Sequence, residues 1–142
     1  MLEHWGKKSE HVIYFIFRVI IGLMFAMHGM QKLGWLGDIA KGSPAGVAAA
    51  FALPLWLAYI VSLVELLGGL AIALGLFVRV ASIVTAIDMI VAMIIVHLPK
   101  SIFPIANGGE LAMLYLMAFI VLFAMGAGKL SLGKALFKRE LW

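Results

Sequence analysis

VIYFIFRVIIGLMFAMHGMQKL, from Val12 to Leu33, is an apolar run that nevertheless carries Arg18, His28 and Lys32. A bilayer core about 30 Å thick needs about 20 residues at roughly 1.5 Å each, so the run is a transmembrane helix by length. Successive residues turn by about 100°, which puts Arg18, Gly22, Phe25, Gly29 and Lys32 on one stripe, with His28 on its flank. One face of this helix is therefore polar. In the plainest alternative, Arg18 and Lys32 snorkel to opposite interfaces and His28 is an ordinary core histidine.

Outward from this run, the same pattern repeats. GWLGDIAKGSP after Leu33 cannot continue a buried helix. Ala45 to Leu53 is apolar, too short to span and closed by Pro54, as expected of a small helix on or dipping into the outer surface. Further spans are expected at about 55–77, 79–98 and 110–126, with Glu65 in the second and Asp88 in the third. Ala58, Ser62 and Gly69 share the Glu65 stripe, and Ala81, Thr85 and Ala92 share that of Asp88. Stripes of small residues let helices approach closely, so both acids are expected to face protein. The expected fold is all-α, an integral membrane four-helix bundle forming one domain over 1–142, with an interfacial C-terminal segment at 129–142.

Composition agrees. The 142 residues are 65% hydrophobic and 13% charged, with a mean hydropathy of +1.12, far from soluble domains. The net charge of +4 does not point to nucleic acid, because the cations lie at the ends of apolar runs, where anionic lipid headgroups meet them. Without cysteine there is no disulfide, thiolate nucleophile, iron–sulfur ligation or dithiol relay in the chain. The first apolar run has spanning length and lacks a signal-peptide cleavage pattern, so it is expected to be retained. Lys7, Lys8, Arg79, Lys129, Lys134, Lys138 and Arg139 fall on one side, against Lys32, Lys41 and Lys100 on the other. This places both termini in the cytoplasm. Trp5 and Trp142 would flank the inner face, and Trp35 and Trp56 the outer.

Ionisable groups near the bilayer centre cost about 2.5 to 3.5 kcal/mol each on insertion scales, so Arg18, Glu65 and Asp88 together oppose insertion by roughly 8 to 10 kcal/mol. The expected remedy is a buried ion pair of Arg18 with Glu65 and Asp88, either as a register-setting device alone or as the floor of a site. His28, Lys32 and Glu110 then gather toward the outer half, above a column of small residues that suits a flat lipophilic headgroup with carbonyl oxygens. Arg18, His28, Lys32 and Glu65 would bind it, and His28, Glu65 and Glu110 would carry the proton chemistry; histidine titrates near neutrality. Glu110 has a structural alternative, since a glutamate in a first helical turn complements the helix dipole. Bis-histidine haem between His28 and His97 is disfavoured. His97 follows Asp88 by nine residues, about 180° around an α-helix, and so would face away. Tyr115 lies off the Glu110 stripe, and the nine methionines suit packing better than metal ligation.

Arg18 with His28-Gly29-x-x-Lys32, Glu65-Leu-Leu-Gly-Gly-Leu, Asn107-Gly108-Gly109-Glu110-Leu and Gly126-Ala-Gly128-Lys-Leu-Ser131-Leu follow one another in an order that resembles the DoxX family of small four-span bacterial and archaeal membrane proteins. The likeness covers nearly the whole chain. Where that family often ends its tail in Ser-Leu-Asp, this chain has Gly133. The resemblance implies a membrane subunit of a redox system in a prokaryotic plasma membrane. Some relatives look like parts of thiosulfate:quinone oxidoreductases, and others are linked to oxidative-stress complexes. Arg18, His28, Lys32, Glu65 and Glu110 are the positions it carries over. The expected ligand is a quinone, with no covalently bound cofactor and no metal; the expected partner is a redox subunit or a second copy. A scaffold that recruits a soluble enzyme, and a proton or small-solute pathway, are the alternatives.

Overall fold

The computed structural model describes residues 2–138 and 141, with side chains from Ser9 onward. The expectations placed on Trp5, Lys7, Lys8, Arg139 and Trp142 lie outside the described side chains. The long helices are α1 (Leu2–Lys32), α3 (Leu55–Leu74), α4 (Val78–Ala92, continued as a π-helical turn over Met93–His97) and α6 (Glu110–Met125). The short ones are α2 (Pro44–Phe51), α5 (Pro104–Asn107) and α7 (Leu132–Phe137). Ser9–Lys32, Leu55–Leu74 and Val78–His97 are long and apolar enough to cross a membrane. Helix α6, with 16 residues, reaches about 24 Å. Together they form an all-helical membrane bundle, and their outward faces are lined with exposed Ile, Leu, Val and Met, as lipid contact requires.

Glycine sets the α1–α3 register. A Cβ on Gly22 would meet the Gly69 carbonyl oxygen at 2.6 Å, one on Gly69 would meet the Gly22 oxygen at 2.5 Å, and one on Gly29 would meet the Ser62 oxygen at 2.6 Å. The two backbones therefore touch along two successive heptads, which is how small residues hold membrane helices together. Along this contact the small-residue stripes of α1 and α3 are filled by each other's backbone. Between α4 and α6 the contact is aromatic and aliphatic instead, built on Met89, Tyr115, Phe119 and Leu122, with Phe25 of α1 closing the centre.

The first half of α1 and the segment that follows α6 lie at the same end of the bundle, since Tyr14 donates to the Gly126 carbonyl at 2.5 Å and Arg18 donates to that of Leu130 at 2.8 Å. The α3–α4 turn is three residues, with Gly75 (φ 75°) and Phe77 (φ 49°) in the left-handed region, so α3 stops at Leu74, short of the expected 77. The tail folds back over this turn. Gly133 is buried against the Gly75 carbonyl, where a Cβ would lie 3.1 Å away, while Leu136 and Phe137 of α7 are exposed, as suits an interfacial segment. At the opposite end, Trp35 and Trp56 are both exposed.

Candidate functional site

The buried charges do not pair as the sequence suggests. Arg18, 1% exposed, donates through Nη1 to the carbonyls of Ile72 (2.5 Å) and Ala73 (3.0 Å), and through Nη2 to Leu130. Its guanidinium lies 5.6 Å from the centre of the Phe15 ring. The last carbonyls of a helix have no partner within it and carry the negative end of its dipole, so a cation there is well placed. The expected ion pair of Arg18 with Glu65 and Asp88 is therefore absent, and Arg18 is not a ligand-binding residue of the chamber below. The physical reason is register. With Gly22 on Gly69, Arg18 comes level with the end of α3, seven residues or about 10 Å beyond Glu65.

Glu65 instead takes its cation from the other end of α1. Lys32 Nζ lies 2.5 Å from Glu65 Oε1, with the Glu65 side chain 2% exposed and that of Lys32 26% exposed. The same glycine contact that carries Arg18 past Glu65 sets Lys32 about one turn outside it, within reach of the lysine stem. At the surface, His11 Nε2 lies 3.7 Å from Glu10 Oε1.

A chamber of about 220 Å³ opens beside this pair, between α1, α3, α4 and α6. Its polar groups are Lys32, Glu65, His28, His97 and Tyr115; Phe25, Phe51, Met89 and Leu111 are among its apolar walls. Tyr115 is 4% exposed and its hydroxyl has no hydrogen-bond partner. The His28 ring stands edge-on to it at 5.7 Å, and Phe25 packs on its other flank at 5.1 Å. Helix α2 supplies Phe51, so it dips against the bundle. Its start is set by Ser43, whose hydroxyl accepts the Gly46 amide, and by Pro44 in the first turn.

His97 belongs to this chamber, against the expectation that it faces away. The Leu98 amide bonds to the Met93 carbonyl, five residues back. Such a π turn holds one extra residue and so retards the helix by about 100°. Asp88 and His97 thereby lie about 80° apart around α4 instead of about 180°, which turns His97 into the first chamber. His97 Nδ1 lies 3.1 Å from the Asn107 carbonyl oxygen. A carbonyl only accepts, so Nδ1 carries the proton and a neutral ring leaves its Nε2 lone pair for a ligand. Asn107 is itself held, its Nδ2 on the Ser101 carbonyl and its Oδ1 on the Gly109 amide, both at 2.7 Å. Gly109 is required here because a Cβ would lie 2.7 Å from Asn107 Oδ1 and 2.9 Å from Met93 Sδ.

Glu110 does not reach the chamber. It is exposed in the first turn of α6, one position past Gly109, while Leu111 and Ala112 line the cavity. Its place is that of a dipole-complementing residue, and its expected proton-transfer role is corrected. Tyr115 is the residue the sequence pattern missed. The usable signal was a phenol on the Ala112, Tyr115, Ala118, Phe119, Leu122 face, which is the buried face of α6.

A second cavity of about 110 Å³ lies across the Lys32–Glu65 pair. Asp88 lines it, and both Asp88 Oδ2 and Glu65 Oε2 are buried without a hydrogen-bond partner. No group of three or more His, Cys, Asp or Glu side chains arranged to hold a metal occurs among the described residues.

Curated relatives span nearly the same length. The chain is 31% identical over 141 residues to an uncharacterized protein of Haemophilus influenzae, covering 97% of this chain and 100% of the relative. It is 32% identical over 133 residues to the "Putative oxidoreductase CatD" of Bacillus subtilis, covering 93% and 92%. An uncharacterized membrane protein of Mycobacterium tuberculosis is 28% identical over 134 residues, with 86% and 80% covered. No solved structure matches the chain. The description of the DoxX family matches residues 13–98, which take in α1 to the end of the π turn and so include Arg18, His28, Lys32, Glu65, Asp88 and His97. On these matches the chain belongs to the DoxX family.

Proposed function

We propose that the chain is the membrane subunit of a redox system in a prokaryotic plasma membrane, with both termini cytoplasmic, and that it binds a quinone headgroup in the 220 Å³ chamber. The observation that carries this is the chamber's chemistry. An ammonium, two imidazoles and an unpartnered phenol converge on an aromatic-walled space at membrane depth. Pockets for drug-sized ligands run from about 300 Å³, so this one suits a single substituted ring. Lys32 and Tyr115 can donate to carbonyl oxygens, while Phe25 and Phe51 offer flat apolar contact. Glu65, held by Lys32, is placed to give or take a proton when the ligand's charge changes. Electrons would come from a partner subunit, as the chain has no cysteine for a thiol relay or iron–sulfur cluster. The name of the Bacillus subtilis relative, an oxidoreductase, supports the class of chemistry.

Calorimetric titration of the purified protein with a short-chain benzoquinone tests it. Saturable binding near one equivalent is expected, lost in His28→Ala and in Glu65→Gln and unchanged in Glu110→Gln. Absence of saturable binding by the unsubstituted protein rejects the proposal.

A further inference from the structure

The second cavity contains a charge imbalance that the ligand chamber does not account for. Lys32 contributes one positive charge, while Glu65 and Asp88 contribute two carboxyl groups to the same 110 Å³ space. The other lining side chains, among them Val47, Leu57, Val61, Val91 and Ile95, have neither donors nor charge. One carboxylate is matched by the Lys32 ammonium. The second would be an uncompensated anion in hydrocarbon surroundings, which is strongly unfavourable. The geometry marks the same deficit twice. Glu65, 2% exposed, has Oε2 without a partner, and Asp88 has Oδ2 without one.

We infer that Glu65 and Asp88 share one proton within this cavity, making Asp88 the proton reservoir behind the Lys32–Glu65 pair. A metal cation is a poor alternative, because hard cations need about six oxygens and the lining supplies only the two carboxyl groups. Water can bridge the acids, since one molecule needs only about 10 to 15 Å³ of such space. The ionisable groups around the pair are Lys32 and His28 from α1, His97 from the π turn of α4 and Tyr115 from α6; α2 contributes Val47 and Phe51, which have none. Because Glu65 lines both cavities, a proton on Asp88 reaches the ligand chamber by passing through Glu65. The reservoir exists without any ligand; only its use toward a bound carbonyl rests on the function proposed above.

Infrared spectroscopy of the ligand-free protein reads the proton directly. In maltoside micelles, which have no ester carbonyl, a protonated carboxyl gives a C=O stretch that moves in D2O, and pH 8 keeps solvated acids ionised and histidines neutral. The unsubstituted protein is expected to show one such carboxyl, absent in Asp88→Asn and absent in Glu65→Gln. Lys32→Met, which removes the compensating charge, is expected to double it. No band in the unsubstituted protein, a full band in Asp88→Asn, or an unchanged band in Lys32→Met would each overturn the inference. If Lys32→Met does not fold, the two acid variants decide alone. Because no quinone is present, a failed quinone titration leaves this result standing, and the converse holds as well.

Discussion

Lys32 Nζ lies 2.5 Å from Glu65 Oε1, although Lys32 is the last residue of its helix and Glu65 lies midway along α3. The pair is asymmetric. Glu65 is fixed in the interior, whereas Lys32 sits at a helix end and can swing its ammonium toward headgroups if released.

Lys32→Met is therefore expected to cost more stability than Glu65→Gln. Breaking a fully buried pair costs about 3 to 5 kcal/mol; with the lysine side chain 26% exposed, on the order of 2 kcal/mol is expected for Lys32→Met. Less than half of that is expected for Glu65→Gln. The double variant should fall well short of the sum, as it must for coupled partners. Thermal unfolding in micelles gives all three values, and equal single-variant losses would contradict the asymmetry.

Alanine at Gly69 pits two effects against each other. Helix propensity favours alanine by about 1 kcal/mol, but its Cβ would press into the backbone of α1, 2.5 Å from the Gly22 oxygen. Backbone cannot rotate out of the way, and overpacking of this kind costs about 1 to 3 kcal/mol. Gly69→Ala should destabilise and loosen the α1–α3 pair. At Gly68, a Cβ would meet only the Thr85 methyl, so Gly68→Ala should be the milder change by melting temperature.

Arg18→Lys should release the tail without disturbing the chamber. A single ammonium cannot reproduce the fork that joins the Ile72 and Ala73 carbonyls to that of Leu130. Hydrogen exchange over residues 126–138 is expected to rise several-fold, with quinone binding unchanged. Loss of binding would mean that Arg18 acts at the chamber after all.

The all-helical membrane bundle and the inward placement of Glu65 were legible in the sequence, because helix length and the 100° periodicity depend only on local geometry. Ion-pair partners were not. Opposite charges at similar depth suggested Arg18 with Glu65, whereas the Gly22–Gly69 contact, visible only when two helices are placed together, slides Arg18 past the acid. His97 was misplaced for a different reason. A periodicity argument assumes unbroken α geometry, and the apolar MIIVH run gives no sign of the π turn.

That π turn is itself testable. Deleting Ile95, whose side chain is 50% exposed, should restore α phase, advance His97 by about 100° and pull it off the Asn107 carbonyl. Affinity for the reduced quinol, whose hydroxyl can donate to the His97 Nε2 lone pair, should drop by about as much as in His97→Ala, while helicity by circular dichroism stays the same. A net hydrogen bond is worth about 0.5 to 1.5 kcal/mol, so a loss of two- to tenfold is expected. Full affinity in the deletion variant would remove His97 from the site.

Tyr115→Phe should change stability and affinity in opposite directions. In the ligand-free protein the hydroxyl is buried without a partner, a state that costs about 1 to 3 kcal/mol. Phenylalanine removes that cost while keeping the ring against His28 and Phe25, so the unliganded variant should melt higher. A quinone carbonyl would supply the missing acceptor, and its binding to the variant should weaken by two- to tenfold. Both shifts together identify the phenol as a ligand donor kept at the expense of stability. A variant that melts higher yet binds equally well would show that the hydroxyl never meets the ligand.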